Sequence, residues 1–177
     1  MVLGDMCIFV EGDDDKSLME RKLKYKIKNG DRRIIRILKW SKRPKDEINK
    51  LIHGCKHGSG SYLFLSDFDC SEFECKSGKK DQLVGIFTEL ERGNIYFIVR
   101  KIEGWYLAGI SDKRARELGL NIPLKTDDIG KRKFSQIVSK KFNNDYAAKL
   151  EILNHFSIDS AKKKNSSFKY FYDRHLS

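Results

Sequence analysis

Two apolar segments of this chain run straight into acids, and no other feature constrains the fold as much. The first reads Cys7-Ile8-Phe9-Val10-Glu11-Gly12-Asp13-Asp14-Asp15. The second reads Tyr62-Leu63-Phe64-Leu65-Ser66-Asp67-Phe68-Asp69. Short, continuous apolar runs bounded by turn signals suit strands buried on both faces, as in a parallel sheet. In an open α/β sheet the ligand crevice lies at the carboxyl ends of the strands. Acids gathered there repel one another unless a cation sits between them. Their hard oxygens suit Mg²⁺ or Mn²⁺. The expectation is a metal-dependent site on an α/β scaffold, acting on phosphate esters.

The rest of the chain supports that scaffold. Strands are expected over residues 6–11, 33–40, 62–66 and 94–100, and helices over 13–28, 46–53 and 81–92. Asp13 to Asp15 can cap and charge the start of the first helix. Pro44 suits the opening turn of the second. Residues 29–31 and 58–60 read as turns, and 71–80 as a polar loop. Strands alternating with helices imply right-handed βαβ units. After Gly109 no strand pattern remains, and residues 112–118, 131–142, 145–155, 159–164 and 168–175 read as helical. The expected architecture is therefore a four-stranded, mainly parallel α/β core over residues 1–110. A helical extension follows over residues 111–177, joined through Pro123 and the polar run 125–130.

The formal net charge of +11 favours polyanionic partners, DNA or RNA, although basic proteins can simply carry solvated lysine faces. The charge is uneven. Residues 1–110 carry 21 basic and 17 acidic side chains, and residues 111–177 carry 15 and 8. The acids thus concentrate near the candidate site and the bases in the extension. No run approaches the roughly 20 apolar residues of a membrane span. The N-terminus lacks the pattern of a signal peptide. The four cysteines show no disulfide framework, so a cytoplasmic setting is expected.

Each acid has a functional and a plainer reading. Glu11 ends a buried strand, where an unpaired carboxylate is costly. Asp15 lies four residues on, across a strand-to-helix turn. Asp13 and Asp14 read best as helix-capping acids. Asp67 and Asp69 face the same side of an extended chain. They suit one metal, but they could also cap a following helix or pair with a lysine. Glu103 could be a catalytic or metal-binding acid, or a first-turn acid of a short helix beside a core Trp105. His53, Cys55, His57, Cys70 and Cys75 match no common zinc spacing and read as a polar helix end.

The stretch Val10-Glu11-Gly12-x-x-Asp15, followed by a strand ending Asp67-x-Asp69, resembles the Toprim domain. That domain is shared by topoisomerases, bacterial primases, recombination-repair proteins and OLD-family nucleases. Val99-Arg100-Lys101-Ile102-Glu103-Gly104-Trp105-Tyr106-Leu107 is similar to the Arg-x-Ile-Glu-x-Tyr-Leu stretch of stand-alone Toprim-like proteins, some of them defence-associated. The resemblance implies a Toprim-like Rossmannoid three-layer sandwich. It implies that Glu11 is the general acid/base and shares in metal binding, and that Asp67 and Asp69 are metal ligands. Asp15 would add a metal contact, and Glu103 would be a late acid, with a second metal as its candidate ligand. Departures are the Cys70 after Asp-x-Asp and the lack of a tyrosine-nucleophile domain. A Gly-x4-Gly-Lys-Ser/Thr loop is also missing, which leaves any ATPase or targeting function to a partner protein.

Lys76, Lys79 and Lys80 follow the Asp-x-Asp pair, and Arg100 and Lys101 precede Glu103. Lys162, Lys163 and Lys164 lie among the tail aromatics. All eight are candidate phosphate contacts, whereas Phe168, Phe171 and Tyr172 at helical spacing read better as core. The expected function is a Mg²⁺- or Mn²⁺-dependent nuclease of the Toprim/OLD kind, with repair or defence as its expected setting. The alternatives are a primase-like nucleotidyl transferase and a non-catalytic nucleic-acid-binding module of a larger complex.

Overall fold

The computed structural model describes residues 5–27, 34–69 and 75–176. The turn expected at residues 29–31, the first residue of the strand expected at 33, and Cys70 with the first part of the expected loop lie outside the described residues.

The chain is an α/β protein. Its strands are β1 (Met6–Val10), β2 (Ile35–Lys39), β3 (Ser61–Phe68) and β4 (Ile95–Val99). They form one all-parallel sheet in the order β2-β1-β3-β4. Central β1 pairs Met6 with Ile35 and Val10 with Lys39 on one side, and Met6 with Ser61 and Phe9 with Phe64 on the other. All five of its residues are buried. This is why its sequence is continuously apolar instead of alternating. Edge strand β2 alternates instead, with Ile35 and Ile37 buried and Arg36 exposed.

Three helices serve this sheet: α1 (Asp13–Leu18), α2 (Lys45–His57) and α3 (Lys76–Ile86). On one face Cys7, Phe9, Tyr62 and Phe64 pack with Ile48 and Ile52 of α2 and with Leu83, Phe87 and Leu90. Phe9, Trp40 and Phe87 surround Phe64 at ring-centroid distances of 5.9, 5.1 and 5.5 Å. Alternation turns Ile8, Val10, Leu63 and Leu65 to the opposite face, where they too are buried.

The helices depart from the sequence reading in identifiable ways. The first was expected to run to residue 28, but α1 widens into a π-helical turn at Met19–Leu23 and tightens into a 3₁₀ turn at Lys24–Lys26. This keeps Leu18, Met19 and Leu23 buried together. Helix α3 begins at Lys76, inside the expected loop, because the Cys75 sulfur accepts the Gly78 N–H at 3.4 Å and caps it. It ends at Ile86, and Phe87 and Leu90 reach the core from the turn that follows.

The described residues fall into two compact units dividing between Phe97 and Ile98. The second unit is helical: α4 (Glu103–Ala108), α5 (Asp112–Glu117), α6 (Lys131–Val138), α7 (Asp145–Asn154), α8 (Ile158–Lys164) and α9 (Ser166–His175). Helix α4 packs against α6, α7 and α8, so it belongs with the extension. All six of its residues are buried. Trp105 meets Phe168 edge-on at 5.1 Å and Phe171 at 5.5 Å, and its indole donates to the Ser167 hydroxyl at 2.8 Å. The tail aromatics Phe168 and Phe171 are core, as their spacing implies. Gly104 lets α4 approach so closely that a Cβ there would stand 2.6 Å from the Thr126 carbonyl oxygen. Among the described residues no helix is long and apolar enough to cross a membrane.

Candidate functional site

The strand order creates the site. From β1 the chain moves outward to β2, then returns across β1 to β3. The carboxyl ends of β1 and β3 therefore flank the topological switch point, the place where open α/β sheets hold their ligands. Glu11 follows β1 directly, and Asp67 is the penultimate residue of β3.

Hydrogen bonds join the two strand ends. The Glu11 Oε2 accepts the Asp67 backbone N–H at 3.0 Å and the Ser66 hydroxyl at 3.4 Å. The Glu11 carbonyl accepts the Ser41 hydroxyl. Trp40, just past β2, donates its backbone N–H to Val10 O at 2.9 Å and its indole N–H to Leu65 O at 2.9 Å. A stacked aromatic side chain thus fixes the register of three strand ends around the acids.

Asp15 sits in the first turn of α1 and is only 5% exposed. Its Oδ2 accepts the Gly12 N–H at 3.0 Å, in the manner of a third-position acid reaching back to the helix cap. Its Oδ1 is buried without any hydrogen-bond partner. Burial pushes the carboxyl up to about 8, aided by the charge of Asp67 and, more weakly, that of Glu11, while the Gly12 N–H pulls the other way. Asp15 therefore senses both Asp67 and Glu11. Asp69 lies just beyond β3 and is half-buried. Phe68, between the two aspartates, is buried and packs on Phe97 at 5.2 Å. Asp13 stands apart: it is exposed and paired with Lys39, which holds its carboxyl below the usual range.

Among the described residues no three His, Cys, Asp or Glu side chains form a ready-made metal cage. Mg²⁺ does not ask for one, because it keeps several waters and takes one or two carboxylates. The donor set offered by Glu11, Asp15, Asp67 and Asp69 is all oxygen. One buried carboxylate oxygen in it has no partner. That chemistry fits a hard divalent cation.

Glu103 lies in the second unit and has its own counter-ion. It is 1% exposed in the first turn of α4, and its Oε1 receives the Lys149 ammonium at 2.9 Å. Lys149 also lies 5.2 Å from the Phe134 ring centroid and 5.9 Å from that of Tyr106. The Glu103 Oε2 is buried with no hydrogen-bond partner. Removing one partner of a buried pair strands the other charge. Lys149→Met is thus expected to destabilise the protein by roughly 3–5 kcal/mol, read as a lowered urea midpoint. An unchanged midpoint would show the pair to be energetically idle.

The basic candidates separate by environment. Lys76, Lys79 and Lys80 lie in the first turns of α3, at spacings that put them on one face. Lys76 stands 5.9 Å from the Phe68 ring centroid, and Lys80 donates to Arg92 O at 2.7 Å. Arg100 adopts a left-handed backbone, φ 62°, which is uncommon outside glycine and gathers at functional sites. Lys101 is half-buried beside it. Lys162 pairs with Asp173 at 2.8 Å and covers the Tyr172 ring at 4.6 Å. Lys163 is exposed. Lys164 is buried: its ammonium bonds Ile110 O at 2.8 Å and Asp112 at 2.6 Å, tying α8 to the start of α5.

Ser66, Trp40 and Lys149 all shape acids that the sequence singles out, yet none carried a sequence signal for that role. Their partners lie far along the chain. The chain matches no protein-family model, and no curated protein or solved structure matches it.

Proposed function

We propose that this chain is a Mg²⁺- or Mn²⁺-dependent phosphodiester hydrolase of the Toprim kind, acting on DNA or RNA. The observation that carries the reading is the buried Asp15 carboxylate, with one oxygen unpartnered, beside Glu11 and Asp67 at the switch point of a parallel sheet. Asp13, by contrast, is an exposed acid that pairs with Lys39.

Of Glu11, Asp67, Asp69 and Asp15, one or two would bind the cation directly and the others would hold its water ligands. When bound, the cation supplies Lewis acidity and neutralises charge on the phosphodiester. Glu11 is the group for proton transfer, anchored through Oε2 by Asp67 N–H and the Ser66 hydroxyl. The lysines of α3 support a polyanionic substrate. The helix dipole disfavours cations in a first turn, so lysines gathered at the start of α3 suit an external anion. Lys163 and the exposed bases of the extension add to the same attraction. Lys164 is bound into the fold and is left out of this role.

The test is cleavage of labelled single- and double-stranded DNA and RNA with Mg²⁺ or Mn²⁺. Cleavage by the wild type, abolished by chelator and by Asp67→Ala/Asp69→Ala, is expected. A folded wild type that cleaves none of these would overturn the hydrolase reading in favour of nucleotidyl transfer or plain binding.

A further inference from the structure

A pocket of about 640 Å³ opens between edge strand β2 and helix α2. It takes in Asp5, Ile34 and Gly60, the residues just before β1, β2 and β3. It therefore reaches the amino ends of the strands, the opposite end from Glu11 and Asp67. Its size is that of a small-molecule site, roughly 300–1,000 Å³. Its floor is apolar. Cys7 is buried there, and Leu38, Leu51 and Cys55 pack against the core while staying partly open. Burial and the neighbouring Cys55 push the Cys7 thiol up to about 12, so this sulfur stays neutral.

The rim is basic. Arg36, Arg43 and Lys50 line the pocket, against the single acid Asp5. All three are exposed. Arg36 holds Asp5 at 3.0 Å and Arg43 pairs with Glu47, each through one guanidinium nitrogen. A guanidinium has five N–H donors, so both arginines keep donors for a ligand. Helix α2 leaves the space clear. Lys50, Leu51, Gly54 and Cys55 share one of its faces, at three- and four-residue spacings. Glycine weakens a helix, yet Gly54 has no left-handed backbone, and a Cβ there would meet nothing within 4 Å. Neither conformation nor crowding calls for glycine at this place, and its effect is to keep the pocket open. An apolar floor under a positive rim complements a molecule that is apolar at one end and acidic at the other. We propose that this pocket binds a small amphipathic organic anion. Its apolar body would lie on Leu38, Leu51 and Cys55, with its acidic head at the rim of Arg36, Arg43 and Lys50.

The probe is anilinonaphthalene sulfonate, an aromatic body with one acidic group, whose fluorescence rises in apolar surroundings. It is titrated into the full chain beside phenylnaphthylamine, which has the same rings without the sulfonate. Gly54→Leu fills the pocket, and Lys50→Glu reverses a charge on its rim. Gly85→Leu is the control, adding the same side chain at an exposed position of α3 where a Cβ also meets nothing. Far-ultraviolet circular dichroism and urea unfolding report the fold of each. Wild type is expected to bind one equivalent of the sulfonate saturably, and the neutral probe at least tenfold more weakly. Sulfonate binding should weaken at least tenfold in Gly54→Leu and severalfold in Lys50→Glu, and hold in Gly85→Leu. Three results would overturn the site: wild type without saturable binding, equal binding of the two probes, or folded Gly54→Leu and Lys50→Glu proteins that bind as wild type does. None of them bears on the acids of the switch point, which the cleavage assay reads separately.

Discussion

Replacing Asp15 with asparagine is expected to stabilise the protein at neutral pH, although it removes an acid from the centre of the candidate site. Burial and the nearby Asp67 raise the Asp15 carboxyl from 3.8 to about 8 in the fold. As pH rises through the window between those values, the unfolded chain releases its proton first. Unfolding therefore becomes easier, by as much as about 1.4 kcal/mol per pH unit. At pH 7 the accumulated penalty is roughly 4 kcal/mol. Asparagine carries no charge and can still accept the Gly12 N–H. Its amide nitrogen would take the place of an unpartnered oxygen, at a cost of about 1–3 kcal/mol. The net expectation is a gain of roughly 1–3 kcal/mol at pH 7 that disappears as pH falls toward 4. Urea unfolding of both proteins at several pH values reads it directly. A variant less stable than wild type throughout would mean that the Asp15 carboxylate serves the fold after all.

The second large effect is on chemistry. Glu11→Gln keeps an oxygen for the Asp67 N–H and the Ser66 hydroxyl while removing a charge and a proton-transfer group. If Glu11 is the acid/base of the proposed hydrolase, turnover should fall by about 10²–10⁴-fold. Stability should hold or rise, because the repulsion that Glu11 exerts on Asp15 is relieved. Loss of rate without loss of fold distinguishes a functional acid from a structural one. A variant that cleaves at the wild-type rate would remove Glu11 from the mechanism.

Much of the α/β unit was legible because its signals are local. The short, unbroken apolar run at Met6–Val10, bounded by turn signals, suits a strand covered on both faces, and the sheet places it at the centre. The acids after β1 and β3 are adjacent to those runs, so parallel strands bring their neighbourhoods together. Other features rest on contacts that sequence does not display. The start of α3 uses a cysteine sulfur as cap, a residue outside the usual capping set, so the helix read as loop until Asp81. Glu103 pairs with Lys149, 46 positions away, and no spacing rule connects them. Lys164 ends a run of three lysines that looks uniformly solvated, yet it is buried against Ile110 and Asp112. The short helix Glu103–Ala108 has a fully buried sequence, which periodicity cannot tell from a strand.

The central claim is that the acids at the β1 and β3 strand ends hold a hard divalent cation. Mn²⁺ binding followed by electron paramagnetic resonance tests it without requiring the right nucleic acid. The account predicts saturable Mn²⁺ binding that Mg²⁺ displaces, weakened at least tenfold in Asp67→Ala, with His57→Ala unaffected. A folded wild type that binds no Mn²⁺ at millimolar concentration, or binding that survives loss of Asp67, would contradict it.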